Sequence, residues 1–153
     1  MDIENVDPAL RQATQRFPGR PPSQAWMRAV ARLATRVMPV PRFDDVTITG
    51  AKADGVRVRI YQADGRAADR GALFWIHGGG LLYGDARQDE ALCAETAREL
   101  GILVVSANYR FAPEHPFPAA LDDLRTAWGW MLDNASRLSF NPSRIAVGGE
   151  SRE

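Results

Sequence analysis

The chain has 153 residues, 45% of them apolar and 25% charged, and its 19 basic and 19 acidic side chains leave no formal net charge. That length suits one domain of ordinary soluble composition, and the charge balance gives no electrostatic reason to expect a nucleic-acid partner. A lone cysteine, Cys93, excludes an internal disulfide, and neither a signal-peptide core nor an apolar run of membrane-spanning length is visible, so a cytoplasmic protein is expected.

Residues 1–41 read as helical, interrupted at Phe17-Pro18-Gly19-Arg20-Pro21-Pro22. Ser23 is the expected N-cap of a second helix, along which Trp26, Val30, Leu33 and Val37 recur at helical spacing until Pro39 and Pro41 end the run. Arg28, Arg32 and Arg36 recur on the opposite side. They read as a solvated face with the apolar stripe packed inward, in preference to a surface for membrane contact.

The period then changes to two. Val46 and Ile48, then Val56, Val58 and Ile60, alternate with polar residues on either side of Asp54-Gly55, which is a hairpin signal. After a polar loop, Ala72-Leu73-Phe74-Trp75-Ile76 has the continuous apolar character of a strand buried on both faces. Asp85 is placed to cap a helix with Leu92, Cys93, Ala97 and Leu100 along one side, stopped by Gly101. Ile102-Leu103-Val104-Val105 reads as a second buried strand, and Pro118 starts a helix with Leu121, Leu124, Trp128, Met131 and Leu132 inward. Asn141-Pro142-Ser143 turns the chain into a last strand, Ile145-Ala146-Val147. The predicted fold class is α/β: an antiparallel strand pair leading into a parallel sheet with helices on both faces.

His77-Gly78-Gly79-Gly80 follows the first buried strand. Consecutive glycines let backbone approach a ligand closely. A dinucleotide fingerprint beginning at Gly78 fails because Tyr83 stands where its last glycine belongs. A phosphate-binding loop beginning at Gly79 fails because Asp85-Ala86 replaces the Lys-Ser/Thr pair. An oxyanion hole, in which backbone N–H groups receive the charge of a tetrahedral intermediate, suits the loop better. A glycine-rich turn without chemistry is the plain alternative. The strand Ile145–Val147 leads into Gly148-Gly149-Glu150-Ser151, the first half of a G-x-S-x-G nucleophile elbow, with Glu153 in the place of the second glycine.

His77-Gly78-Gly79-Gly80, the block Asn108-Tyr109-Arg110-Phe111-Ala112-Pro113-Glu114-His115-Pro116-Phe117-Pro118-Ala119-Ala120-Leu121-Asp122-Asp123, and Gly148-Gly149-Glu150-Ser151 together resemble the bacterial hormone-sensitive-lipase-like (GDXG-type) branch of the α/β-hydrolases. Order and spacing agree from about residue 1 to Ser151. The resemblance implies a carboxylic-ester hydrolase that uses no cofactor and no metal and acts on a small-molecule ester. It implies Ser151 as nucleophile and an oxyanion hole drawn from the N–H groups of Gly78, Gly79 and Arg152, with His77 and Gly80 supporting the loop. Arg152 stands where the family usually has alanine. Residues 1–41 would belong to a helical cap and residues 42–153 to an incomplete hydrolase core.

The family's triad continues from serine to an aspartate and a histidine, and only Arg152 and Glu153 follow Ser151. His77 reads as a brace for the glycine loop, and His115 is held in a block of structural character. Asp122 and Asp123 read as salt-bridge or capping partners of Arg110 or the loop. The expectation is a truncated chain without its own catalytic base, inactive alone, with a non-catalytic half-hydrolase binding module as the alternative.

Overall fold

The computed structural model describes residue 8 and residues 24–150. The first expected helix, its interruption at residues 17–22, and Ser151, Arg152 and Glu153 therefore lie outside the described residues. The second helix, α1, spans Ala25–Val37. Its N-cap is Gln24 and not Ser23, and that side chain caps no backbone N–H.

Asp54 and Gly55 both take positive φ, 48° and 94°, so a two-residue turn joins β1 (Val46–Ala53) to β2 (Val56–Ala63) in register Ala53 to Val56. The predicted hairpin is present. β3 (Arg70–Ile76), α2 (Glu90–Leu100), β4 (Leu103–Asn108), α3 (Ala119–Asp133) and β5 (Phe140–Gly149) follow in alternation. The five strands form one mixed sheet in the order β1-β2-β4-β3-β5. β2 joins β4 antiparallel, whereas β3 runs parallel to both β4 and β5. β4 is buried along almost its whole length, as its unbroken apolar run requires.

Helices cover both faces. α3 closes a core of Val58, Ile60, Phe74, Leu103, Val105, Ala127 and Met131. On the other face Cys93, Ala94 and Ala97 of α2 meet Val46, Tyr61 and Val104. Burial here, together with the neighbouring acids, raises the Cys93 thiol to about 12, so it stays protonated and inert.

Three local expectations need correction. Asp85 caps a single 3₁₀ turn, Ala86–Asp89, through a reciprocal capping box with Gln88, and α2 begins only after it. In α2 Leu92 and Leu100 are exposed, and the small residues Cys93, Ala94 and Ala97 face the sheet. In α3 the fully buried positions are Asp123, Ala127 and Met131, while Leu121 is exposed and Leu124 and Trp128 pack at the margin of the core. Asn141-Pro142-Ser143 lies within β5, as an irregularity between the Arg70–Phe140 and Ala72–Ile145 pairs. Its turn chemistry survives, because the Ser143 N–H donates to the Asn141 side chain at 2.9 Å.

α1 departs most from expectation. Its arginines are the docked face. Arg32 donates to the carbonyls of Leu82 (2.9 Å) and Ala112 (3.1 Å) and to Glu114 (2.8 Å), and its guanidinium sits 5.1 Å from the Phe111 ring centroid. Arg36 lies 4.0 Å from Asp85. Trp26, Val30, Leu33 and Val37, expected inward, are exposed among the described residues.

Candidate functional site

β3 ends at Ile76 and delivers His77 into the interior, where the ring is only 1% exposed. The imidazole stacks on Tyr109, with centroids 4.4 Å apart and planes 9° apart, and meets the edge of Phe111. Its Nδ1–H donates to the Gly78 carbonyl at 2.9 Å, and Nε2 has no partner among the described residues. Burial pushes the His77 pKa down, opposed by the Gly78 carbonyl, Asp85 and Glu150. The ring is therefore neutral.

Backbone geometry around the loop is fixed by carbonyl partners. The Tyr109 hydroxyl donates to the His77 carbonyl at 2.7 Å. The Gly78 carbonyl accepts from both His77 Nδ1 and Gln88 Nε2, the latter at 3.2 Å. The peptides after His77 and Gly78 are trans, the cis bonds among the described residues being Ala112–Pro113 and Phe117–Pro118. In a trans peptide the N–H points opposite to the C=O. The Gly78 N–H therefore points away from Tyr109, and the Gly79 N–H away from Gln88.

Gly79 has φ +125°, and a Cβ there would lie 1.8 Å from the Tyr83 carbonyl oxygen, so no other residue fits. Gly84 is also crowded, its would-be Cβ 2.6 Å from the Gly78 carbonyl oxygen and 2.7 Å from His77 Nδ1. Gly80, at φ +60°, has open space around it. The loop then runs into the capped turn at Asp85, where the Ala86 N–H donates to Asn108 at 2.9 Å.

The tip of β5 arrives beside this loop. Ladder pairs join Trp75 to Gly148 and Ile76 to Gly149, and the Glu150 N–H extends the pairing to the Ile76 carbonyl at 3.1 Å. Glu150 lies directly against Gly78, since a Cβ on Gly78 would come 3.2 Å from Glu150 Oε2. The glycine loop and the residue preceding Ser151 thus share one end of the sheet, on adjacent strands. Ser151 and Arg152 themselves are outside the described residues.

The long middle block braces the loop from below. Arg110 grips Asp123 through Nε and a second guanidinium nitrogen, at 2.8–3.0 Å, while its N–H donates to the same carboxylate at 2.8 Å. The Ala112 N–H donates to the Leu81 carbonyl at 2.9 Å. His115 is exposed, its N–H bonded to Phe111, and lines an open cleft of about 700 Å³ with Tyr109 and Gly84. No group of three or more His, Cys, Asp or Glu side chains among the described residues is placed to hold a metal ion, and no described helix is long and apolar enough to cross a membrane.

Three contributions went unread in the sequence: the Tyr109 hydroxyl, Gln88 and the Asn108 side chain. For Gln88 the Asp-x-x-Gln spacing of the capping box was a local signal. Tyr109 and Asn108 act across more than twenty residues of chain, where spacing carries no information.

Comparison with known proteins agrees with this arrangement. The family model described as "alpha/beta hydrolase fold" matches residues 73–152. The carboxylic ester hydrolase LipN of Mycobacterium tuberculosis is 39% identical over 134 residues, covering 84% of this chain and 34% of that protein. The carboxylesterase NlhH of the same organism is 30% identical over 154 residues, covering 96% of this chain and 48% of that one. Among solved structures, a bacterial heroin esterase superposes with TM-score 0.78 at 33% identity over 97% of this chain and 50% of its own. The esterase LipW of Mycobacterium marinum gives 0.75 at 30% identity over 97% and 49%. The chain therefore spans half or less of the length of these proteins. On the strength of its strand order, its loop and these matches, it belongs to the α/β-hydrolase fold family, on the hormone-sensitive-lipase-like carboxylesterase branch.

Proposed function

We propose that this chain carries the nucleophile and oxyanion half of a carboxylic-ester hydrolase and that the triad's acid and base are not supplied by residues 1–153. The observation that carries the reading is the Glu150 N–H bond to Ile76, which sets the residue before Ser151 against Gly78. In the complete site, Ser151 Oγ would attack the ester carbonyl as its proton passes to a histidine. The carbonyl oxygen would take charge facing the N–H groups of Gly78, Gly79 and Arg152, each donor worth about 3–4 kcal/mol. Collapse of the intermediate would break the bond to the leaving alcohol, which takes the histidine's proton. Water would then release the acid and free Ser151. Tyr109, Gln88 and His77 support this reading, because they hold the carbonyls whose opposite N–H groups would do the stabilising.

Neither histidine suits the role of base. His77 is buried, neutral and committed through Nδ1, and His115 belongs to an exposed turn. A serine without its base loses about 10⁶ in kcat. The chain alone is thus read as inactive, with residues 1–41 contributing to a cap, a small-molecule ester as the substrate of the complete enzyme, and a cytoplasmic location. The second reading, a half-hydrolase used only for binding, draws on the exposed α1 stripe.

Hydrolysis of a p-nitrophenyl ester by the 153-residue chain and by its Ser151→Ala variant should be equal within about twofold. A chimera joining residues 1–151 to the part of NlhH that follows its matched region should hydrolyse the ester and lose at least about 10³-fold on Ser151→Ala. A folded but silent chimera would favour the binding module. A strong Ser151-dependent rate in the chain alone would overturn the claim that the base lies elsewhere.

A further inference from the structure

The sheet face under α2 has two halves of opposite character. Toward β3 it is apolar, with Tyr61, Val104, Leu73 and Trp75 meeting the helix. Beyond the start of α2 the same face turns basic. Lys52 and Arg57 are direct partners across β1 and β2, and Arg59, two residues on, faces Gly50, which offers no side chain. Arg36 from α1 and Arg87 from the 3₁₀ turn converge on the same place. These five cations, with Asp85 and Asn108, line an open cleft of about 660 Å³.

The local acids do not balance them. Asp85 stands 4.0 Å from both Arg36 and Arg57, and its other oxygen accepts the Arg87 N–H. Glu90 pairs with Arg59 alone. With Asp54 of the hairpin turn counted beside Asp85 and Glu90, five positive charges face three negative ones, an excess of two in a chain whose formal net charge is zero. Unpaired donors point the same way. The Nε groups of Arg59 and Arg87 are buried without a partner among the described residues, and so is the hydroxyl of Ser106, which pairs with Arg59 in the β2–β4 ladder. Buried donors without acceptors are uncommon and costly. The arginine groups that face the cleft itself are the outer guanidinium nitrogens, which a ligand made only of acceptors would suit.

We propose that this cleft binds a small, multiply charged oxyanion of phosphate or pyrophosphate chemistry. Arginine forks match such oxygens in pairs, and Lys52 adds a mobile point charge at the rim. Gly50 leaves room for the anion over Arg59. The cleft lies toward the β1–β2 side of the sheet, away from β5, and shares with the glycine-loop site Asp85 of the turn that follows the loop and Asn108, which accepts from that turn.

Calorimetric titration of the 153-residue chain with inorganic phosphate and with pyrophosphate, at ionic strength held constant with chloride, tests this. One saturable site is expected, tighter for pyrophosphate. Lys52→Ala and Arg57→Gln, both at exposed positions, should each weaken it about fivefold to tenfold. Lys52→Arg should retain binding, as should Arg125→Gln on the exposed side of α3, with melting midpoints read alongside. Absence of saturation up to about 10 mM, or equal weakening by Arg125→Gln, would show general charge attraction and overturn the site.

Discussion

His77 stays neutral because it is buried, and that neutrality ties the glycine loop to pH. Its pKa lies below the ordinary 6.5 in the fold, with burial the dominant cause. Below about pH 6.5 the unfolded chain therefore binds more protons at this residue than the folded one. The contribution of a neutral His77 is complete above that pH and is lost as the pH falls toward the lowered folded value. In urea unfolding, the midpoint of the natural chain should drop between about pH 7.5 and 5.5 by more than that of His77→Gln. Equal drops would assign the pH dependence to the carboxylates. The sequence read His77 as a brace for the loop but not as a buried ring, because burial and stacking on Tyr109 come from a residue just past β4, more than thirty positions away.

At the scale of elements, periodicity located α1 but misjudged its inner face. An apolar stripe normally packs inward because water drives it there. Here the carbonyls of Leu82 and Ala112, both in loops, supply acceptors that arginine alone can span. Hydrophobic pattern does not encode such partners, whereas it located β1 to β4 and the existence of both sheet-covering helices, though not which leucines of those helices face inward. The same account predicts how α1 detaches. Arg32→Ala should speed amide exchange across α1 about tenfold, and Arg32→Lys should not rescue it, because one ammonium cannot reach all three acceptors. Leu33→Ser, on the exposed stripe, should leave exchange unchanged. A larger effect from Leu33→Ser would mean that the stripe is the docked face in solution.

Among the described residues the sheet has two edges of different character. β1, paired only to β2 among the described residues, is an eight-residue edge strand of a hairpin with polar residues between its apolar ones. β5 is the last strand at the other side, paired only to β3 among the described residues. Val147 lies beside Phe74 on the face that α3 covers, yet it is 60% exposed, because α3 shields Ile145 and the strands inward of it. An apolar strand with a free row of backbone donors and acceptors is a template for pairing with another chain. A charge at this position should block that pairing with little loss of packing. Val147→Lys is expected to shift the chain toward monomer in concentration-dependent light scattering while changing stability by less than about 1 kcal/mol. If association persists unchanged, the contact runs through another surface, and the exposed stripe of α1 becomes the candidate to mutate.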